Sequence, residues 1–75
     1  MFTIQYQSIN GGHVMQQVDV RDREILVRHV AKFERPVFAV YEQATPITKA
    51  VRGALSKLPD NALSRYAKQF RDDLT

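Results

Sequence analysis

The chain contains no cysteine and no tryptophan, and it has only three glycines and two histidines among 75 residues. Without cysteine, neither a disulfide nor a thiolate-bound metal can stabilise the fold. A chain of this length is expected to form one small domain, over residues 1–75, that depends on good packing or on a second copy of itself. No apolar run is long enough to span a membrane.

The N-terminus also lacks the basic and apolar regions of a signal peptide, so we expect a cytoplasmic protein. Charge is missing there altogether, because residues 1–18 contain no Asp, Glu, Lys or Arg although the whole chain has a net charge of +3. The positive charge is concentrated between residues 49 and 71, where one carboxylate, Asp60, stands among six basic residues. We therefore predict two different surfaces, one polar and uncharged and one basic.

The stretch "SINGGHVM", residues 8–15, separates two runs that alternate in polarity as strands do. A two-residue loop at Asn10–Gly11 or at Gly11–Gly12 would place Asp19 opposite an apolar side chain. A three-residue loop, Asn10–Gly12, avoids this and favours a type I turn followed by a left-handed residue, for which Gly12 is suited. We therefore predict a hairpin with the three-residue loop.

This loop places two different sets of side chains on the two faces of the hairpin. The apolar face has the pairs Phe2–Val20, Ile4–Val18, Tyr6–Gln16 and Ser8–Val14. The opposite face has the pairs Thr3–Asp19, Gln5–Gln17, Gln7–Met15 and Ile9–His13. Depletion of charge together with methionine is typical of interface cores. The candidate protein-binding residues are Thr3, Gln5, Gln7, Ile9, Met15 and Gln17.

The remaining chain predicts helix, strand, helix, helix. Asp19 or Asp22 caps a first helix with apolar Ile25, Leu26, Val30 and Phe33, and Pro36 ends it. Residues 37–41, "VFAVY", predict a buried strand. Thr45 and Pro46 start a second helix with its stripe at Ile47, Val51, Ala54, Leu55 and Leu58. Asp60 caps the last helix, whose stripe is Leu63, Tyr66, Ala67, Phe70 and Leu74.

The fold class is therefore α+β, in the order ββαβαα. The third strand is expected beside the first, in a small mixed sheet of order 2-1-3 with helices on its apolar face. A crossover between parallel strands would be right-handed. The first or the second strand is left at an edge, and neither carries the lysine or proline that usually protects an edge strand.

Residues suited to catalysis or metal binding are few. His29 lies at helical spacing between Ile25 and Phe33, which favours a place in or beside the core, and His13 adjoins the turn. No His, Asp or Glu cluster has metal-ligand spacing, so we expect no metal and no cofactor. Ser8, Ser56 and Ser64 have no recognisable base nearby in the sequence, so we expect no enzymatic activity.

Two basic stripes provide the alternative function. Lys49, Arg52 and Ser56 share one helical face. On the last helix, Arg65, Lys68 and Arg71 also lie three residues apart and share a face. Residues 47–70 resemble the two helices and corner of helix-turn-helix proteins. A basic stripe opposite an apolar one is usually a solvated face, but it is also typical of phosphate contact. The candidate nucleic-acid-binding residues are Lys49, Arg52, Arg65, Lys68 and Arg71.

The sequence thus supports two hypotheses. The first is a small adaptor or inhibitor that binds another protein or a second copy of itself through the uncharged face. The second is a nucleic-acid binder that uses the basic helices and whose affinity falls steeply with salt. The economy of the chain is typical of a small bacterial or phage accessory protein, and no membrane partner is expected.

Overall fold

A computed structural model describes the backbone of residues 1–72 and the side chains of residues 1–70. Its strands are β1 (Phe2–Gln7), β2 (His13–Val18), β3 (Val37–Glu42) and β4 (Thr45–Pro46). Its helices are α1 (Arg23–Ala31), α2 (Thr48–Leu55) and α3 (Arg65–Asp72), with a 3₁₀ turn at Asp60–Ala62. The predicted order ββαβαα is confirmed, with β4 as an additional short strand.

The strands form one sheet in the order β2-β1-β3-β4. The predicted order 2-1-3 is therefore confirmed, but the prediction of a mixed sheet is wrong, because every neighbouring pair is antiparallel. Helix α1 carries the chain across β1 to its other side. Strands β2 and β3 therefore run in the same direction but do not pair with each other. Each pairs instead with the opposite strand between them.

The hairpin has a three-residue loop, but not the predicted one. The Gly11 N–H donates to the Ser8 carbonyl over 3.0 Å, and the Ser8 N–H donates to the Gly12 carbonyl over 2.7 Å. Gly11, with φ of +91°, occupies the left-handed position that we assigned to Gly12. The loop is therefore Ile9–Gly11, one residue earlier than predicted.

Moving the loop by one residue moves the strand register by two. Phe2 lies opposite Val18 rather than Val20, and Ile4 lies opposite Gln16 rather than Val18. Because side chains alternate with period two, a slip of two residues leaves each one on its predicted face. Ile9 is the exception, since it lies in the loop and is 87% exposed.

Helix α1 begins where Asp22 caps it, its Oδ1 accepting from the Ile25 N–H over 2.9 Å. Of the two predicted caps, the structure therefore has Asp22. The buried face is formed by Leu26, Val27, Val30 and Ala31. The predicted stripe was wrong at Ile25, which is 45% exposed, and Phe33 lies beyond the helix end in partial contact with the core.

Helix α2 begins two residues later than predicted, with Ile47 instead of Thr45 at the cap position. Thr45 and Pro46 do not start a helix but pair with Glu42 and Tyr41 as β4. Thr48 Oγ1 then contacts the Val40 backbone, 3.2 Å from its nitrogen and 3.4 Å from its oxygen. A return strand after the Gln43–Ala44 turn satisfies the edge of β3 and delays the helix.

The last helix also begins later than predicted. Asp60 starts only the 3₁₀ turn, and Ser64 caps α3, its Oγ accepting from the Ala67 N–H over 3.0 Å. The residues 56–64 between α2 and α3 do not form the tight corner of helix-turn-helix proteins. The prediction for Leu74 falls outside the described residues.

All three helices bury their apolar faces in one cluster against one face of the sheet. The largest side chains with almost no exposure are Ile4, Leu26, Val30, Val40, Val51 and Leu55. Helix α3 contributes the buried side chains of Ala67 and Phe70 to this cluster. The opposite face of the sheet is left for other contacts.

Candidate protein-interaction surfaces

The strand residues that point away from the helices form a surface without formal charge, which we call the outer face. It carries Thr3, Gln5 and Gln7 from β1 and His13, Met15 and Gln17 from β2. None of these side chains is buried, and Met15 is 59% exposed. The structure therefore brings together five of the six predicted protein-binding residues and leaves out Ile9.

Strand β3 extends the outer face with residues that the sequence analysis did not include. Ala39 lies opposite Gln5 and Tyr41 opposite Thr3. Between Ala39 and Val37 the register with β1 shifts, which leaves Phe38 as an additional residue on β3. The run 37–41 is thus not a fully buried strand, since Phe38 is 37% exposed. Phe38 and Tyr41 are three positions apart, so strand alternation alone would place them on opposite faces, and the register shift was not visible in the sequence.

Phe38 is held on the outer face by His13. The two rings stack with centroids 4.2 Å apart and planes inclined by 26°. The Gln5 Nε2 atom lies 3.2 Å from His13 Nδ1 and so links the central strand to this ring pair. The arrangement crosses three strands and presents a flat aromatic and amide surface. Such surfaces supply large contact area to a protein partner.

The two edges of the sheet differ in their protection. Strand β4 is only two residues long and includes Pro46, both of which discourage further pairing. Strand β2 has six residues, "HVMQQV", with no charged residue and no proline. No other strand in the described part of the chain covers the free edge of β2. Its backbone groups are available for pairing.

The predicted nucleic-acid-binding residues differ in their exposure. Lys49, Arg65 and Lys68 are exposed. Arg52 is partly buried, with its guanidinium carbon 4.6 Å from the centroid of the Phe70 ring. The side chain of Arg71 lies outside the described residues. Nucleic-acid binding stays a prediction, and Arg52 has a packing role within the fold.

A groove runs between α1 and α2 on the side of the molecule away from the outer face. Its volume is about 530 Å³. The floor is formed by Val27, Ala50, Val51, Gly53, Ala54 and Leu58. The rim is formed by Arg23, Glu24, Arg28, Lys49 and Lys57. No local sequence pattern predicts this groove, because its two walls are distant in the chain.

The structure adds little that would support catalysis. His29 is exposed rather than buried in the core, with its ring centroid 5.7 Å from that of Phe33. Ser64 is used as a helix cap, and Ser56 Oγ donates to the Gly53 carbonyl over 2.6 Å. Among the residues that the structure describes, no three His, Asp or Glu side chains are grouped to hold a metal ion.

The helices of the described region also include none with the length and hydropathy required to cross a bilayer. No protein-family model, no curated protein and no solved structure matches the chain.

Proposed function

We propose that this protein is a small, non-enzymatic cytoplasmic association module, and that its β2 edge pairs with the β2 edge of a second copy. The observation that carries the proposal is an unprotected six-residue edge beside an uncharged outer face. An edge of this kind is a template for another strand. Pairing two copies would satisfy both edges and extend the sheet to eight strands.

The direction of the β2 backbone supports this pairing. The Gly12 carbonyl accepts from Ser8 and therefore points toward β1. Because hydrogen-bonded and non-hydrogen-bonded positions alternate along an antiparallel pair, the N–H and C=O groups of His13, Met15 and Gln17 point toward the free edge. Any antiparallel partner strand must align with these three residues.

Several self-pairing registers meet that requirement, and two of them overlap the strands most. In one register Met15 lies opposite Met15 of the second copy, and Val14 lies opposite Gln16. In the other register Gln16 lies opposite itself, Val14 opposite Val18 and His13 opposite Asp19. We favour the second register because it places two β-branched valines opposite each other and an imidazole opposite a carboxylate. Cross-strand pairs of this kind each contribute roughly 0.2–1 kcal/mol.

The second copy is favoured as partner by the absence of charge on β2. A strand that pairs antiparallel with itself brings the residues at its centre near their own equivalents, so lysine or glutamate there would repel. Neutral residues at positions 13–18 avoid this cost. In the dimer the two outer faces would meet at Met15 and Gln17, where the joined surface carries no charge.

Single-cysteine variants test the proposal directly, because the natural chain has no cysteine. Gln16→Cys should form a disulfide-linked dimer with oxidised glutathione, since opposed residues in the favoured register lie within disulfide reach. Met15→Cys reports the competing register. Gln69→Cys, at an exposed position on α3, measures random collision. Non-reducing gel electrophoresis over time provides the measurement.

Faster linkage of Gln16→Cys than of the other two variants supports the favoured register, and faster linkage of Met15→Cys overturns that register alone. In light scattering after size exclusion, the natural chain should approach the dimer mass as its concentration rises. Gln16→Lys should remain a monomer, because two ammonium groups would face each other, whereas Gln69→Lys should dimerise normally. A natural chain that stays monomeric throughout the series overturns the proposal.

A further inference from the structure

The geometry points to a second binding site, in which the groove between α1 and α2 receives an acidic amphipathic helix of another protein. The groove lies on the helical side of the molecule and shares no residue with the β2 edge. The inference therefore does not depend on dimer formation. Its basis is an apolar floor enclosed by a rim of mainly positive charge.

The floor is suited to the apolar face of a helix. Val27 and Val51 come from the core and form its base, while Ala50, Ala54 and Leu58 retain exposed surface. Packed helices have axes about 8–10 Å apart depending on the side chains at the contact, and small side chains allow the closer approach. At Gly53 an added Cβ would meet no atom within 4 Å, so the space above this residue is open.

The rim determines the charge of the occupant. It contains four cationic side chains and one carboxylate, a difference of +3, and all five are exposed. Arg23 is paired with Glu42 over 2.8 Å, and Arg28 with Glu24 over 3.2 Å. Lys49 and Lys57 have no ion pair among the described side chains. These two lysines, on the α2 side, are the ones that acidic residues of a partner would meet.

Other occupants fit the groove less well. The helices of a second copy include basic α3, with Arg65 and Lys68 exposed, so they would bring positive charge to a positive rim. A nucleic-acid backbone would be attracted by the rim but has no apolar side chains for the floor. An amphipathic helix with acidic flanks satisfies both parts of the groove, in the helix-in-groove mode of recognition.

The experiment uses a fluorescent synthetic peptide of about five helical turns, ~18 residues. Leucine at helical spacing gives it one apolar face, and glutamate flanks that face. A scrambled peptide of the same composition, without the apolar face, is the matched control. Fluorescence anisotropy with the full chain should show saturable binding of the amphipathic peptide, at least tenfold tighter than of the scrambled one.

Variants on the α2 side of the groove locate the site. Gly53→Leu places a side chain in the open space of the groove and should weaken binding at least tenfold, while circular dichroism confirms the fold. Lys57→Glu should weaken binding similarly, and the loss should shrink as salt rises because exposed charges are screened. Lys68→Glu, an exposed lysine on α3, is the charge-matched control and should bind as the natural chain does.

Equal binding of the two peptides would overturn the inference, because the apolar floor would then play no part. Unchanged affinity in folded Gly53→Leu would overturn it as well. A short DNA duplex that competes with the peptide and loses affinity in Lys57→Glu would assign the rim to nucleic acid instead. Gln16→Lys should bind the peptide normally, which separates this result from the test of dimer formation.

Discussion

At the scale of single residues, one glycine determines how the hairpin is aligned. Asn10, Gly11 and Gly12 are all suited to a tight turn, and the sequence pattern favoured Gly12 as the left-handed residue. In the structure Gly11 has the positive φ, and Gly12 does not. Local chemistry cannot separate two adjacent glycines. The two glycines are distinguished by the hydrogen bonds that close the loop, because Gly12 pairs with Ser8 in the ladder and Gly11 lies within the loop.

Alanine substitution should distinguish the two glycines. Gly11→Ala should lower the free energy of unfolding by about 1–2 kcal/mol, because a side chain disfavours left-handed backbone. Gly12→Ala should change it much less, since its Cβ would meet only Ser8 Oγ at 3.5 Å and Asn10 Oδ1 at 3.7 Å. Urea denaturation of both variants provides the measurement. A larger loss for Gly12→Ala would contradict the observed loop.

At the scale of elements, helix periodicity found the helices but not always their buried faces. In α1 the apolar spacing that includes Ile25 competes with one that includes Leu26 and Val27. Only the second faces the sheet, because the Asp22 cap and the path from β2 set the rotation of the helix. Similarly, Thr45 and Pro46 have the composition of a helix start, but tertiary pairing with β3 places them in a strand.

Truncation of the two neighbouring residues in α1 should have unequal effects. Leu26→Ala should cost about 2–5 kcal/mol, because Leu26 has no exposed surface and its loss leaves a cavity. Ile25→Ala should cost about 0.5 kcal/mol or less, as is usual for exposed positions. Chemical denaturation followed by circular dichroism measures both. Comparable losses would indicate that α1 is rotated relative to the structure described here.

At the scale of the whole molecule, the helices cover only one face of the sheet. The outer face and the β2 edge lie on one side, and the basic-rimmed groove lies on the other. A protein with two such surfaces could hold two partners at once, which is the arrangement expected of an adaptor. Dimer formation would then double the number of grooves in each assembly.

Coupling between assembly and folding should make stability depend on concentration. If the folded chain pairs through β2 and the unfolded chain does not, the thermal midpoint rises with protein concentration by mass action. Gln16→Lys should remove this dependence and leave the midpoint of the monomer. Gln69→Lys should retain it. A midpoint for the natural chain that is independent of concentration would argue against the β2 pairing.

The sequence by itself determined the composition of the two faces of the β1–β2 hairpin. Side chains alternate on a strand whatever its partner, so Gln5, Met15 and Gln17 share a face under any slip of two residues. For the same reason the pattern could not select the register. Only the tertiary structure decided the register of the hairpin. It alone also decided that β2 lies at an edge, that Phe38 joins the outer face and that a groove lies between α1 and α2. Each depends on contacts between segments that are separated along the chain, and no local periodicity records them.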